Sequence, residues 1–130
     1  RKFEQVLAVD RSPQPHHVLL CEDDDLVRES LVELIEGMGC EVSGCRSLAE
    51  ARAVMAQRLP DLLITDLRLP DGHGLALAQE ARSLSPEMVI AVASGRGSRE
   101  AAAQIPAAVA LDKPFSFDEL DDLLQRLAAR

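Results

Sequence analysis

Five short candidate strands, separated by stretches of helical period, constrain this chain more than any other feature. They are Val18–Cys21, Val42–Cys45, Leu62–Thr65, Val89–Ala93 and Ala108–Leu111, all but the second of them apolar runs. A strand with one wet face alternates apolar and polar residues, whereas one that is apolar throughout is buried on both faces. Runs of this kind, alternating with helices, point to a parallel sheet covered by helices on both sides. Between the runs, Leu26, Val27, Leu31, Leu34, Ile35 and Met38 recur at helical spacing, and Gly37 and Gly39 mark the stop. Ser47-Leu48-Ala49-Glu50 reads as a capping box, in which the Ser accepts from the amide three residues on and the Glu reaches back. It opens a second helix through about Gln57. A Pro-Asp-Gly turn at 70–72 precedes a third, from about Leu75 to Arg82. Ser98 is expected to cap a short Ala-rich helix that runs to about Ile105 and breaks near Pro106. Ser116-Phe117-Asp118-Glu119 is a second capping box, and Leu120, Leu123, Leu124 and Leu127 line its helix. The fold class expected is α/β, with five parallel strands alternating with five helices.

This pattern occupies residues 17–130. Residues 1–16 read as an N-terminal extension or linker, because the two prolines of Arg11-Ser12-Pro13-Gln14-Pro15 favour extended backbone. Upstream, Phe3, Val6, Leu7 and Val9 could line one helical face. The start at Arg1 gives the expectation of a processed start or of a piece cut from a longer protein. Charge narrows the function classes. Lys plus Arg is 14 and Asp plus Glu is 22, a net charge of -8, so no direct binding of nucleic acid and no attraction to anionic lipid are expected. With no Trp or Tyr and only 3 Phe, there is no aromatic platform for stacking bases. No run of about 18 apolar residues is present to span a membrane. Three cysteines without zinc-ligand spacing argue against a disulfide framework and fit a reducing cytoplasm.

In a parallel α/β sheet, ligands bind beyond the carboxyl ends of the strands. The first run delivers Glu22 and Asp23 there, the third Asp66, the fourth Ser94 and the fifth Lys113. Three converging carboxylates repel unless a cation neutralises them. A hard divalent ion with oxygen ligands, most simply Mg²⁺, answers that need and leaves room for phosphate oxygens. A metal on one side and an ammonium on the other stabilise the charge of a phosphoryl group in transfer, while a hydroxyl donates to a third oxygen. One carboxylate can then act as nucleophile and become an acyl phosphate. Asp66, on the central strand between the acidic pair and Lys113, is the best placed. Each piece alone has a plainer reading. The acidic run 22–25 suits a helix N-terminus, with Asp24 or Asp25 as its cap, and a Lys-Pro pair is usually a turn.

Taken as a set, these residues resemble the receiver domain of two-component response regulators, over about residues 17–130. Leu-Leu-Cys-Glu-Asp-Asp resembles the acidic pair after strand one, at Glu22 and Asp23. Leu-Leu-Ile-Thr-Asp-Leu-Arg-Leu-Pro-Asp-Gly-His-Gly resembles the phosphoacceptor segment, with Asp66 on the phosphorylated Asp, Pro70 four later and Gly74 eight later. Ser94-Gly95 resembles the Ser/Thr and small-residue pair that binds the phosphoryl group, and Lys113-Pro114-Phe115 the Lys-Pro-Phe motif, whose Lys113–Pro114 peptide is then expected to be cis. The resemblance implies a flavodoxin-like fold with strand order 2-1-3-4-5. It implies Mg²⁺ held by Glu22, Asp23, Asp66 and the backbone carbonyl of Arg68. It implies phosphoryl transfer to Asp66 from a histidine kinase or a His-containing phosphotransfer domain, followed by a shift of Ser94, the last strands and the fourth helix. It also leaves room for a homodimer through the fourth and fifth helices, and for this domain to be the receiver of a hybrid sensor kinase.

Three positions depart from the family pattern. Ala110 stands where an aromatic switch residue is common, three before Lys113. The stretch from Ser94 to Lys113 is shorter than usual. Arg68 and Arg96 occupy positions that tune hydrolysis, and two Arg side chains there give the expectation of slow autodephosphorylation. A receiver that acts only as a phosphorylation-independent interaction module is the alternative reading. A Mg²⁺-dependent phosphatase of the haloacid-dehalogenase type would need Asp-x-Asp after the first strand, whereas Asp66 follows the third and Arg68 stands where the second Asp would be. His73 reads as a solvated loop residue, His16 and His17 as polar residues at the linker end, and Cys21 as a buried strand residue. Cys40 and Cys45 are expected to flank the second strand.

Overall fold

Within each apolar run, neighbouring side chains point to opposite faces of the sheet, so a run that is apolar throughout has to feed two cores. The structure, a computed structural model that describes residues 15–129, contains both. Along the chain come β1 (His17–Cys21), α1 (Asp25–Gly37), β2 (Glu41–Cys45), α2 (Leu48–Gln57), β3 (Leu62–Asp66), β4 (Arg68–Leu69) and β5 (Gly72–His73). Then follow α3 (Gly74–Leu84), β6 (Val89–Ser94), α4 (Ser98–Ala102), β7 (Val109–Asp112) and α5 (Phe117–Ala129). Five strands form one sheet in the order β2-β1-β3-β6-β7, every neighbouring pair parallel. Counted alone, these five have the order 2-1-3-4-5, the flavodoxin-like arrangement. The linker and its apolar stretch at residues 3–9 lie outside the described residues.

One core packs Leu19, Cys21, Leu63, Ile90 and Val92 against Met55 of α2, Leu77 and Ala81 of α3 and Ala101 of α4. The other packs Val18, Leu20, Leu62, Ile64 and Leu111 against Ile35 of α1 and Leu120, Leu123 and Leu127 of α5. The strands therefore alternate between the two cores residue by residue. Val18, Leu19, Leu62, Leu63 and Ile90 are all fully buried, and burial of each such side chain contributes about 1.5–3 kcal/mol. The thiols of Cys21 and Cys45 lie within this packing, and desolvation pushes their pKa values up to about 12 and about 11. Both stay protonated and unreactive at neutral pH.

Two cap expectations hold and several others are corrected. Asp24 caps α1 by accepting from the Val27 amide, and the Ser116–Glu119 box forms in both directions. The first box is displaced: Ser47 accepts from Glu50 N, but the Glu50 carboxylate reaches the amide of Arg46, one residue before the cap. Gly97, not Ser98, occupies the cap of α4, with φ of 82°. The Ser98 hydroxyl turns away to Asp112. The helix itself ends at Ala102, earlier than the spacing suggests. Cys45 belongs to β2 rather than flanking it. An additional hairpin, β4 with β5, frames the turn at 70–72. His17 is no linker residue: it opens β1 at 3% exposure, with Nε2 2.8 Å from Ser43 Oγ. Burial, helped by Arg58, lowers its pKa.

Arg82 holds the far side of the molecule together. Its guanidinium donates to the carbonyls of Ser85, Pro86, Met88 and Pro106, tying the end of α3 to the loop after α4. At the amino edge of the sheet, His16 and Leu127 of α5 line one groove. No helix among the described residues is long and apolar enough to cross a membrane.

Candidate functional site

A parallel sheet directs every strand's carboxyl end to the same edge, so residues far apart in sequence meet there. One oxygen from each of Glu22, Asp23 and Asp66 lies within 4.8 Å of the others. Glu22 is buried at 3% exposure, Asp66 is half-buried and Asp23 is exposed. The Lys113 ammonium, from the end of β7, donates to Glu22 Oε1 and to Asp66 Oδ2, the latter at 2.9 Å. Burial works against the charged ammonium, but hydrogen bonds and charge from Glu22 and Asp66 outweigh it and raise the Lys113 pKa.

Three carboxylates share one ammonium, which leaves the cluster two charges short of neutrality. A divalent cation would make up that difference. The donors are hard carboxylate oxygens at mixed burial, a set suited to Mg²⁺ that retains some of its water. Arg68, Ser94, Gly95 and Arg96 join Asp23, Asp66 and Lys113 in lining a cavity of about 460 Å³. Ser94 Oγ is turned onto its own loop, accepting from Arg96 N at 3.1 Å and donating to Arg96 O. The Lys113–Pro114 peptide is cis. His73 sits on β5, exposed and paired with Arg68, and does not line the cavity.

Residues outside that set hold it in place. Arg28 Nη1 donates to the carbonyl of Glu22 at 2.8 Å while Nη2 pairs with Asp25. Thr65 Oγ1 donates to the carbonyl of Asp66. Asp71 accepts from the amides of Leu48 and Ala49, which fastens the loop after Asp66 onto the start of α2. These two backbone bonds hold the Asp71 carboxyl below its ordinary pKa. The Arg28–Asp25 pair has a visible i,i+3 signal. The Asp71 contact has none, since its partners are 22 and 23 residues away.

The chain and its fold have counterparts among known proteins. Residues 18–125 match the family described as response regulator receiver domain. The KDP operon transcriptional regulatory protein KdpE of Escherichia coli is 36% identical over 116 residues, covering 88% of this chain and 51% of that protein. The response regulator protein PilR of Pseudomonas aeruginosa is 34% identical over 109 residues, covering 82% of this chain and 24% of that protein. This chain thus spans about half or less of the length of these two relatives. The crystal structure of a putative response regulator from Chloroflexus aurantiacus superposes with a TM-score of 0.81 at 33% identity, covering 90% of this chain and 100% of that one. Strand order, superposition and sequence match agree, and the chain belongs to the response regulator receiver domain family of two-component signalling.

Proposed function

We propose that Asp66 takes a phosphoryl group from a phosphohistidine. The observation that carries this reading is the Lys113 ammonium bridging Asp66 and buried Glu22, with Asp23 in reach. Asp66 attacks the phosphorus, the P–N bond to the imidazole breaks, and the imidazole leaves with the electron pair. Lys113 stabilises one phosphoryl oxygen and Ser94 Oγ, once turned from Arg96, donates to another. Mg²⁺ held by Glu22, Asp23, Asp66 and the Arg68 carbonyl would supply further positive charge.

The donor must arrive over the carboxyl edge. Beside the cavity, Leu26, Val27, Ser30, Leu31, Pro114 and Phe115 line an apolar groove of about 530 Å³ that shares Lys113 with it. Leu26 is 76% exposed there. A histidine kinase or phosphotransfer domain seats its helices on this groove and presents its imidazole to Asp66. Pairing of two copies through α4 and α5 belongs to the same reading.

The test is an intact-mass spectrum after incubation with a small phosphodonor and Mg²⁺. One added phosphoryl group is expected, absent from Asp66→Asn and absent without Mg²⁺. No adduct on the wild type sinks the reading and favours a phosphorylation-independent interaction module. Ala110 and the five-residue α4 are the features that support that second reading. Arg68 and Arg96 flank the entrance by which water would reach the acyl phosphate. Their removal in a Arg68→Ala, Arg96→Ala chain is expected to speed label loss; equal rates would count against shielding.

A further inference from the structure

Only three residues, Gly95 to Gly97, separate the two hydroxyls that anchor the loop between β6 and α4. At one end Ser94 Oγ binds the Arg96 backbone in both directions. At the other, Ser98, 1% exposed, donates from Oγ to Asp112 Oδ1 at 2.6 Å. Among the described residues this is the one side-chain hydrogen bond between α4 and β7. Asp112 is the register partner of Ser94, and the next amide, Lys113 N, donates to Ser94 O at 2.9 Å. The two anchors and the active-site lysine therefore form one connected patch.

Between the anchors the loop has room and permissive backbone. A Cβ at Gly95 would meet nothing within 4 Å, and Gly97 holds a positive φ that glycine adopts without strain. To reach a phosphoryl oxygen, Ser94 Oγ must leave the Arg96 carbonyl, which releases that turn. Ser98 follows Arg96 by two residues. Helix α4 has only five residues, too few to hold its shape by its own hydrogen bonds. Ala110, half-buried beside it, has no side-chain rotamer through which to respond.

Resting on the phosphoacceptor reading above, we propose that the Ser98–Asp112 hydrogen bond carries the movement of Ser94 to the first turn of α4 and the end of β7. Ser98 and Asp112 are positioning residues. They act through Ser94 and touch neither the phosphoryl group nor the metal.

Amide spectra with and without Mg²⁺ and beryllofluoride, a phosphoryl mimic, separate this from the reading beneath it. The wild type is expected to shift at residues 67–69, at 95–102 and at 109–112. Ser98→Ala and Asp112→Ala should keep phosphoryl uptake and the shifts at 67–69 but lose those at 99–102 and 109–112. Ser98→Thr and Asp112→Asn, which keep a donor and an acceptor, should restore them. A wild-type pattern in both Ala variants overturns the proposal. No adduct and no shift at 67–69 in the wild type overturns the proposal and the phosphoacceptor reading together.

Discussion

A Gly74→Ala chain is expected to lose most of its stability and its phosphoryl uptake together. A Cβ at position 74 would lie 1.8 Å from the carbonyl oxygen of Asp66 and 2.7 Å from Thr65 Oγ1. When side chains can yield, such crowding costs about 1–3 kcal/mol. Here the obstacle is backbone, and it belongs to Asp66 itself. The end of β3 must move, so a cost of about 3 kcal/mol or more is expected, with Asp66 carried out of reach of Lys113. Urea unfolding followed by circular dichroism reads the first effect and intact mass the second. Gly37→Ala is the control: nothing lies within 4 Å of its added methyl, and Ala there should gain about 0.5–1 kcal/mol of helix stability. A Gly74→Ala chain with the wild-type midpoint would remove the packing argument.

Replacing Lys113 by Met should couple stability to divalent cation more tightly. Without the ammonium, Glu22 keeps a carboxylate at 3% exposure beside Asp66 and Asp23. Removing one partner of a buried ion pair costs about 3–5 kcal/mol. Lys113 is itself 29% exposed, so solvent screening lowers that to about 2–3 kcal/mol. Mg²⁺ supplies the missing charge, so the variant's melting temperature should rise more steeply with Mg²⁺ than the wild type's. Phosphoryl uptake should fall by about 10²–10³, the usual effect of losing one preorganised charge at a reacting centre. Parallel Mg²⁺ dependence in the two proteins would show that the ammonium does not compensate the acidic cluster.

The sheet was readable because Val18 to Cys21 and Leu62 to Ile64 have no polar residue to spend on a wet face. The cluster was readable because topology turns strand ends into neighbours: Glu22 and Lys113, 91 residues apart, meet through it. What escaped depends on competition that local patterns do not encode. Ser98 has the chemistry of a helix cap, but Asp112 offers its hydroxyl a charged acceptor and glycine takes the cap. Glu50 chooses the amide of Arg46 over that of Ser47. β4 and β5 have two residues each, too short for any period. Leu26 fits the α1 stripe by spacing, yet it lies exposed beside Phe115 in the groove next to the cavity. Those contacts were set by what lay opposite, which only the folded chain supplies.

The shared groove of His16 and Leu127 has a consequence for how such a unit can be wired into a longer polypeptide. Chain enters β1 and leaves α5 on one rim, and the acidic cluster occupies the other. The two rims are about one strand apart, roughly 17 Å at about 3.3 Å per residue. Both ends of the described chain therefore lie on the rim opposite the acidic cavity, so a module joined at either end would start from behind it.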